Sequence, residues 1–162
     1  MINWLANNRI KQLLQPNQGN FSNWEHIQRI AIVIKNDDQF TKQELEQWVN
    51  KSKRTVEIFF LDKVAKSPAY TDWHCITSKE IRLGLPLMAL LKGYQANKYD
   101  LVINTMQSEE PAMSCIAASL QTPFRCNTVM DKTSPQLIIK RTTLSLTAYL
   151  DEVVSYLKMI KN

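Results

Sequence analysis

The chain has 162 residues, 44% apolar and 22% charged, and its 20 Lys and Arg against 15 Asp and Glu give a net charge of +5. That length suits one domain at roughly 150 residues each, the composition excludes a disordered chain, and no apolar run approaches the ~18 residues of a membrane span. Only Gly19, Gly84 and Gly93 are glycine, a scarcity that excludes most phosphate-cradling loops.

Residues 1–14 read as an amphipathic helix with Ile2, Leu5, Ile10, Leu13 and Leu14 as its apolar members. The stretch lacks the uninterrupted apolar core of a secretion signal. Asn3, Asn7 and Asn8 stand where a membrane-surface helix carries Lys and Arg. The helix is expected to dock on the body of the protein or on a second copy. Residues 1–28 therefore form a helix and lead-in, and residues 29–162 a single domain.

Ile30-Ala31-Ile32-Val33-Ile34 is a short continuous apolar run, as in a strand buried on both faces. Thr41 and Glu44 then spell a capping box, with Phe40 and Leu45 at the staple positions. Leu45, Trp48 and Val49 supply one apolar helix face, and residues 56–61 a second strand. Lys51, Lys53 and Arg54 close the helix as cations suited to its dipole. Trp48 falls on the apolar face beside them, so the exposed aromatics of a nucleic-acid surface are missing. No nucleic-acid partner is expected.

After a polar connection over residues 63–72, residues 73–77 form a short peripheral strand. Pro86 is expected to open a helix carrying Leu87, Met88, Leu90 and Leu91 before Gly93 weakens it. Residues 99–104 are another buried-type strand, and Pro111 opens a helix of small residues, Ala112 to Ser119. Weaker strands follow at 123–126 and 136–140. The last helix places Leu146, Tyr149, Leu150, Val153, Leu157 and Ile160 on one stripe.

Strands alternating with helices predict an α/β fold: a three-layer, Rossmann-like domain with a mainly parallel sheet in the order 3-2-1-4-5-6. A ligand then sits beyond the carboxyl ends of strands 1 and 4. The candidate lining is Asn36, Asp37 and Asp38 from one loop with Asn104, Thr105, Gln107, Ser108 and Glu109 from the other. Asp37, Asp38, Glu109 and Glu110 crowd that crevice with carboxylates, which disfavours a nucleotide phosphate. The acids either hold a hard cation or simply solvate a loop and favour a helix start. Asn104, a polar residue ending a buried strand, points into the crevice or binds a neighbouring loop.

No catalytic residue, cofactor or metal is assigned. His74 and Cys75 are neighbours in a strand and face opposite sides, which separates a nucleophile from its base. Cys75, Cys115 and Cys126 are odd in number and widely spaced, which points to free thiols in a reducing, cytoplasmic setting. Leu85, Leu87, Met88, Leu90 and Leu91 make the expected helix apolar all round, so either the N-terminal helix or a second subunit covers it. Together with Leu5 they are the candidate interface of a homodimer or of another protein contact.

The whole chain resembles a family of small, uncharacterised bacterial α/β proteins found mainly in the Bacteroides group. The matching features are the Asn- and Lys-bearing first helix, the buried strand with an acidic loop, and Tyr99-Asp100-Leu101-Val102-Ile103-Asn104. Ile116-Ala117-Ala118 with Phe124-Arg125, and Tyr156-Leu157-Lys158-Met159-Ile160, complete them. That resemblance implies the fold and a bacterial source, and no reaction. The stretch from Tyr99 to Asn104, with Ala117-Ala118 and Phe124-Arg125, is also similar to the N-terminal half of heptosyltransferase-type glycosyltransferases. Those enzymes follow their first strand with a Gly-Asp turn bearing the catalytic acid and use a second Rossmann-like domain. Asp37 or Asp38 stands near that position without the Gly, and 162 residues leave no room for the second domain. The similarity supports the strand order more than a glycosyltransferase activity. The leading expectation is a non-catalytic protein-interaction module, and the alternative is a sugar- or small-ligand-binding protein using the crevice.

Overall fold

A computed structural model describes residues 2–14, 22–35, 39–61, 73–106, 110–133, 135–143 and 145–160. After α1 (Ile2–Leu13) and a short 3-10 turn at Trp24–His26, β1 (Arg29–Lys35), α2 (Lys42–Ser52) and β2 (Thr55–Leu61) form the first β-α-β unit. Then come β3 (His74–Ile76), β4 (Ile81–Arg82), β5 (Leu85–Pro86), α3 (Met88–Tyr94) and β6 (Leu101–Asn104). The chain continues through α4 (Pro111–Ser119), β7 (Arg125–Asn127), β8 (Leu137–Ile138) and α5 (Leu146–Met159). The main sheet has six strands in the order β3-β2-β1-β6-β7-β8, every neighbouring pair parallel. This is the order read from the sequence, with the short third strand joined to the sheet edge.

Alternation along β1 divides the core into two. Ala31 and Val33 face a cluster shared with α1, α3 and α4, while Ile30, Ile32 and Ile34 face one shared with α2 and α5. The capping box of α2 is complete: the Glu44 N–H donates to Thr41 Oγ1 at 3.2 Å and the Thr41 N–H to Glu44 Oε2 at 2.7 Å. Helix α4 is buried along residues 112–119 because it lies between the sheet and α1. Small side chains permit close approach on both sides at once. Its carboxyl end is held by Arg125 of β7, whose guanidinium donates to the Ala117 and Leu120 carbonyls.

The expected helix from Pro86 is corrected. Ile81 pairs with Pro86 and Arg82 with Leu85 in an antiparallel hairpin, and α3 starts only at Met88 and runs through Gly93. Leu83 and Gly84, at φ of 51° and 74°, are the two turn residues, the signature of a type I′ hairpin turn. The positive φ of Gly84 favours glycine there, and a Cβ would lie 2.6 Å from Ile2 Cδ1, so that exposed side chain would have to move to accommodate it. The apolar run is thus divided among a turn, an edge strand and a helix. Leu85 and Leu91 are buried in the chain's own core. Arg9 of α1 donates to the Pro86 carbonyl and Gln95 Nε2 to the Leu13 carbonyl at 3.0 Å, pinning α1 over this region.

Candidate functional site at the carboxyl edge of the sheet

At the switch point β6 and β7 end abreast, Asn104 paired with Asn127, while Val33, two residues before the end of β1, pairs with Asn104 on its other side. By alternation Asn104 shares the face of Val102, and Asn127 that of Arg125, which is the α4 face. Around Asn127 a buried polar network is built. Its Nδ2 donates to Asp131 Oδ1 at 3.0 Å and to Thr133 Oγ1 at 3.1 Å. Asp131 also accepts from Ser114 Oγ of α4 at 2.9 Å, from the Thr133 N–H at 2.9 Å and from the Thr133 hydroxyl.

Asn104 contrasts with that saturation. It is 0% exposed, yet neither Oδ1 nor Nδ2 has a hydrogen-bond partner. Asn127 Oδ1 and Thr128 Oγ1 are likewise buried and unpaired. Buried polar side chains normally find partners, and leaving one without costs about 1–3 kcal/mol. Unpaired atoms gathered at the edge where parallel sheets hold ligands mark this as the candidate site.

Of the residues expected there, Asn104 and Thr105 are described. Thr105 is a clamp: its N–H and its hydroxyl each donate to the Val33 carbonyl at 3.1 Å, fastening the end of β6 to β1. Asn36, Asp37, Asp38, Gln107, Ser108 and Glu109 lie outside the described residues. Glu110 does not add to an uncompensated acidic crowd, because Lys35 Nζ approaches its Oε2 at 3.3 Å. Of the candidate interface residues, Leu87 is exposed, while Leu5, Met88 and Leu90 are half-buried against the α1–α4 core.

Asn127, Thr128 and Asp131 were not identified from the sequence. A polar residue ending a strand beside Asn104 was the available signal, but the register that pairs them is a property of the folded sheet. A second unanticipated cluster surrounds Glu57 on β2. Its Oε2 accepts from the Tyr99 hydroxyl at 2.8 Å and lies 3.2 Å from His74 Nε2, while Oε1 accepts from Arg29 at 3.0 Å. The His74 ring stacks on Phe59 with centroids 4.5 Å apart. Burial pushes the Glu57 carboxyl up, but bonds from Tyr99, Arg29 and His74 together hold it below its ordinary value of 4.5. A carboxylate lowered on folding stabilises above its unfolded value and loses that contribution as pH falls through the folded one. Glu57→Gln is therefore expected to lower stability at neutral pH and to flatten the loss below about pH 4.5. Urea unfolding across that range measures both effects; an unchanged acid limb would remove Glu57 as its source.

None of the three cysteines is in a disulfide. Burial pushes the Cys115 thiol up to about 11 and Cys126 to about 12, so both are inert thiols rather than nucleophiles. Cys75 packs toward the α2–α5 core and His74 toward Phe59, on opposite faces as their adjacency requires. Among the described residues no helix is long and apolar enough to cross a membrane.

No curated protein and no solved structure matches the chain, so the similarity to heptosyltransferases stays a likeness of one strand and one helix. A family model described as a family of unknown function (DUF6913) matches residues 3–160. With nearly its whole length matched, and with the α/β architecture expected of its relatives, the chain belongs to the DUF6913 family.

Proposed function

We propose that the protein binds a small polar molecule at the carboxyl edge of β1, β6 and β7. The observation that supports this is Asn104, fully buried with an amide that makes no hydrogen bond. A leucine there would fill a similar volume without the unmet polar demand, so the asparagine lowers stability unless something completes it. The geometry favours binding over chemistry: among the described residues of the network the carboxylate is Asp131, and it is occupied by four donors. Thermal-shift screening with sugars, nucleotides, amino acids and divalent cations tests the reading. Stabilisation of the wild type that disappears in Asn104→Leu is expected; no response to any compound overturns it.

A second reading is a cytoplasmic bacterial homodimer formed through the β4–β5 hairpin tip. It rests on Leu83, 72% exposed and held at φ of 51°. The left-handed region costs an ordinary L-residue roughly 1–2 kcal/mol and asparagine less, and an exposed leucine in that strained position suits a contact made outside the chain. Leu83→Asn creates the Asn-Gly pair preferred by type I′ turns. The variant is expected to be about 1 kcal/mol more stable than wild type and to be monomeric where the wild type is dimeric. Light scattering at micromolar concentration decides; a strictly monomeric wild type ends this reading. That none of the three cysteines is in a disulfide supports a reducing compartment.

A further inference from the structure

We infer that the ligand of the carboxyl edge is a neutral, polyhydroxylated compound, an inference that rests on reading the Asn104 edge as a binding site. The argument is a count of unmet donors and acceptors. Asn104 offers one carbonyl acceptor and one amide donor group, both unpaired, so the orientation of its amide does not affect the count. For Asn127 the orientation is fixed, because its Nδ2 donates to the Asp131 carboxylate; its unpaired atom is the carbonyl. Thr128 adds a hydroxyl that can give or take. Two of these atoms demand hydrogen-bond donors, one is a donor, and one adapts.

An anion such as phosphate brings mainly acceptors and carries its charge into a buried edge beside two carbonyl oxygens, which repel it. A cation, whether a metal ion or an ammonium group, offers no acceptor; it leaves Asn104 Nδ2 unmet and, among the described residues of the network, meets only the Asp131 carboxylate, which already accepts from four donors. A hydroxyl group is donor and acceptor at once. Neighbouring hydroxyls on one carbon chain or ring can span Asn104 and Asn127, which sit on adjacent strands about 4.8 Å apart. Such a compound matches the unpaired atoms of Asn104 and Asn127 in kind, can give to or take from a hydroxyl such as that of Thr128, and carries no charge into a buried edge.

The test is isothermal titration and thermal shift of the full chain with four probes at millimolar concentration: myo-inositol, glucose, inorganic phosphate and putrescine. The expected result is stabilisation by at least one polyol, lost in Asn104→Leu, which also removes any general effect of polyols on stability. Thr128→Val, which deletes only one hydroxyl, is expected to fold and to bind the polyol about tenfold more weakly; undiminished binding in it would overturn the assignment if Asn104→Leu does not fold. An Asn104-dependent response to phosphate or putrescine, with none to the polyols, overturns the ligand class and leaves the site standing. Should no probe act on the wild type, bound waters suffice for these atoms, and both the class and the site reading fall.

Discussion

Arg125→Ala is expected to cost about 3–5 kcal/mol, a large share of the roughly 5–15 kcal/mol that holds a domain of this size together. Three losses combine. The Ala117 and Leu120 carbonyls at the end of α4 lose the guanidinium that satisfies them, at about 1–3 kcal/mol for each group left unpaired. The side chain is almost wholly buried, so truncation also opens a cavity between α4 and the sheet. Finally, Asp131 loses its nearby countercharge. Burial pulls the guanidinium down to about 10 while the Asp131 charge works in the opposite direction, so the charge is retained at neutral pH at a cost that these bonds outweigh. Arg125→Lys keeps the charge and reaches one carbonyl at most, and is expected to lose about half as much. The urea midpoint of each variant gives the comparison. A loss under about 1 kcal/mol for Arg125→Ala would mean that α4 finds another cap.

Most of the architecture was legible because the sheet is buried on both faces. A parallel strand under two helical layers must be apolar at every position, and β1 and β6 announce themselves in that way. The capping box of α2 is a local device that needs no tertiary partner, so Thr41 and Glu44 carry it unaided. The β4–β5 hairpin was not legible. Its strands are two residues each, too short for alternation, and its first turn position is a leucine rather than the asparagine such turns favour. Pro86, a natural first residue of a helix, serves instead at the end of an edge strand, where its missing N–H is harmless.

The candidate site was half legible for the same reason. Asn104 stands out as a polar residue closing an apolar strand. Its partners Asn127, Thr128 and Asp131 lie in and after a three-residue strand, in a stretch whose composition matches any polar loop. Only the register that sets Asn127 beside Asn104, and the Ser114 hydroxyl arriving from α4, give them meaning. Glu57 is a comparable case. A lone acid on a core-facing position of β2 was a signal, but His74 reaches it from β3, Arg29 from β1 and Tyr99 from the residues just before β6, a set that only the strand order assembles.

Asp131→Ala is expected to cost about 3–5 kcal/mol as well, through the donors it abandons. Ser114 and Thr133 hydroxyls can turn to other acceptors, but the Asn127 Nδ2 and the Thr133 N–H are fixed and buried, and Arg125 loses the opposing charge. Asp131→Asn keeps the shape and one acceptor while setting an N–H₂ against existing donors, and is expected to lose about 2 kcal/mol. Because Arg125 and Asp131 act on one another, their double alanine variant is expected to fall short of the summed losses by about 1 kcal/mol. Strict additivity in the urea midpoints would show that the two charges work independently. The same substitution reaches the ligand edge. Asp131 and Thr133 accept from Asn127 Nδ2 and so leave its carbonyl as the unpaired atom; Asp131→Asn loosens that hold and is expected to weaken polyol binding even at temperatures where the variant is fully folded. Unchanged affinity in a folded Asp131→Asn protein would detach Asn127 from the site and leave Asn104 and Thr128 to hold the ligand.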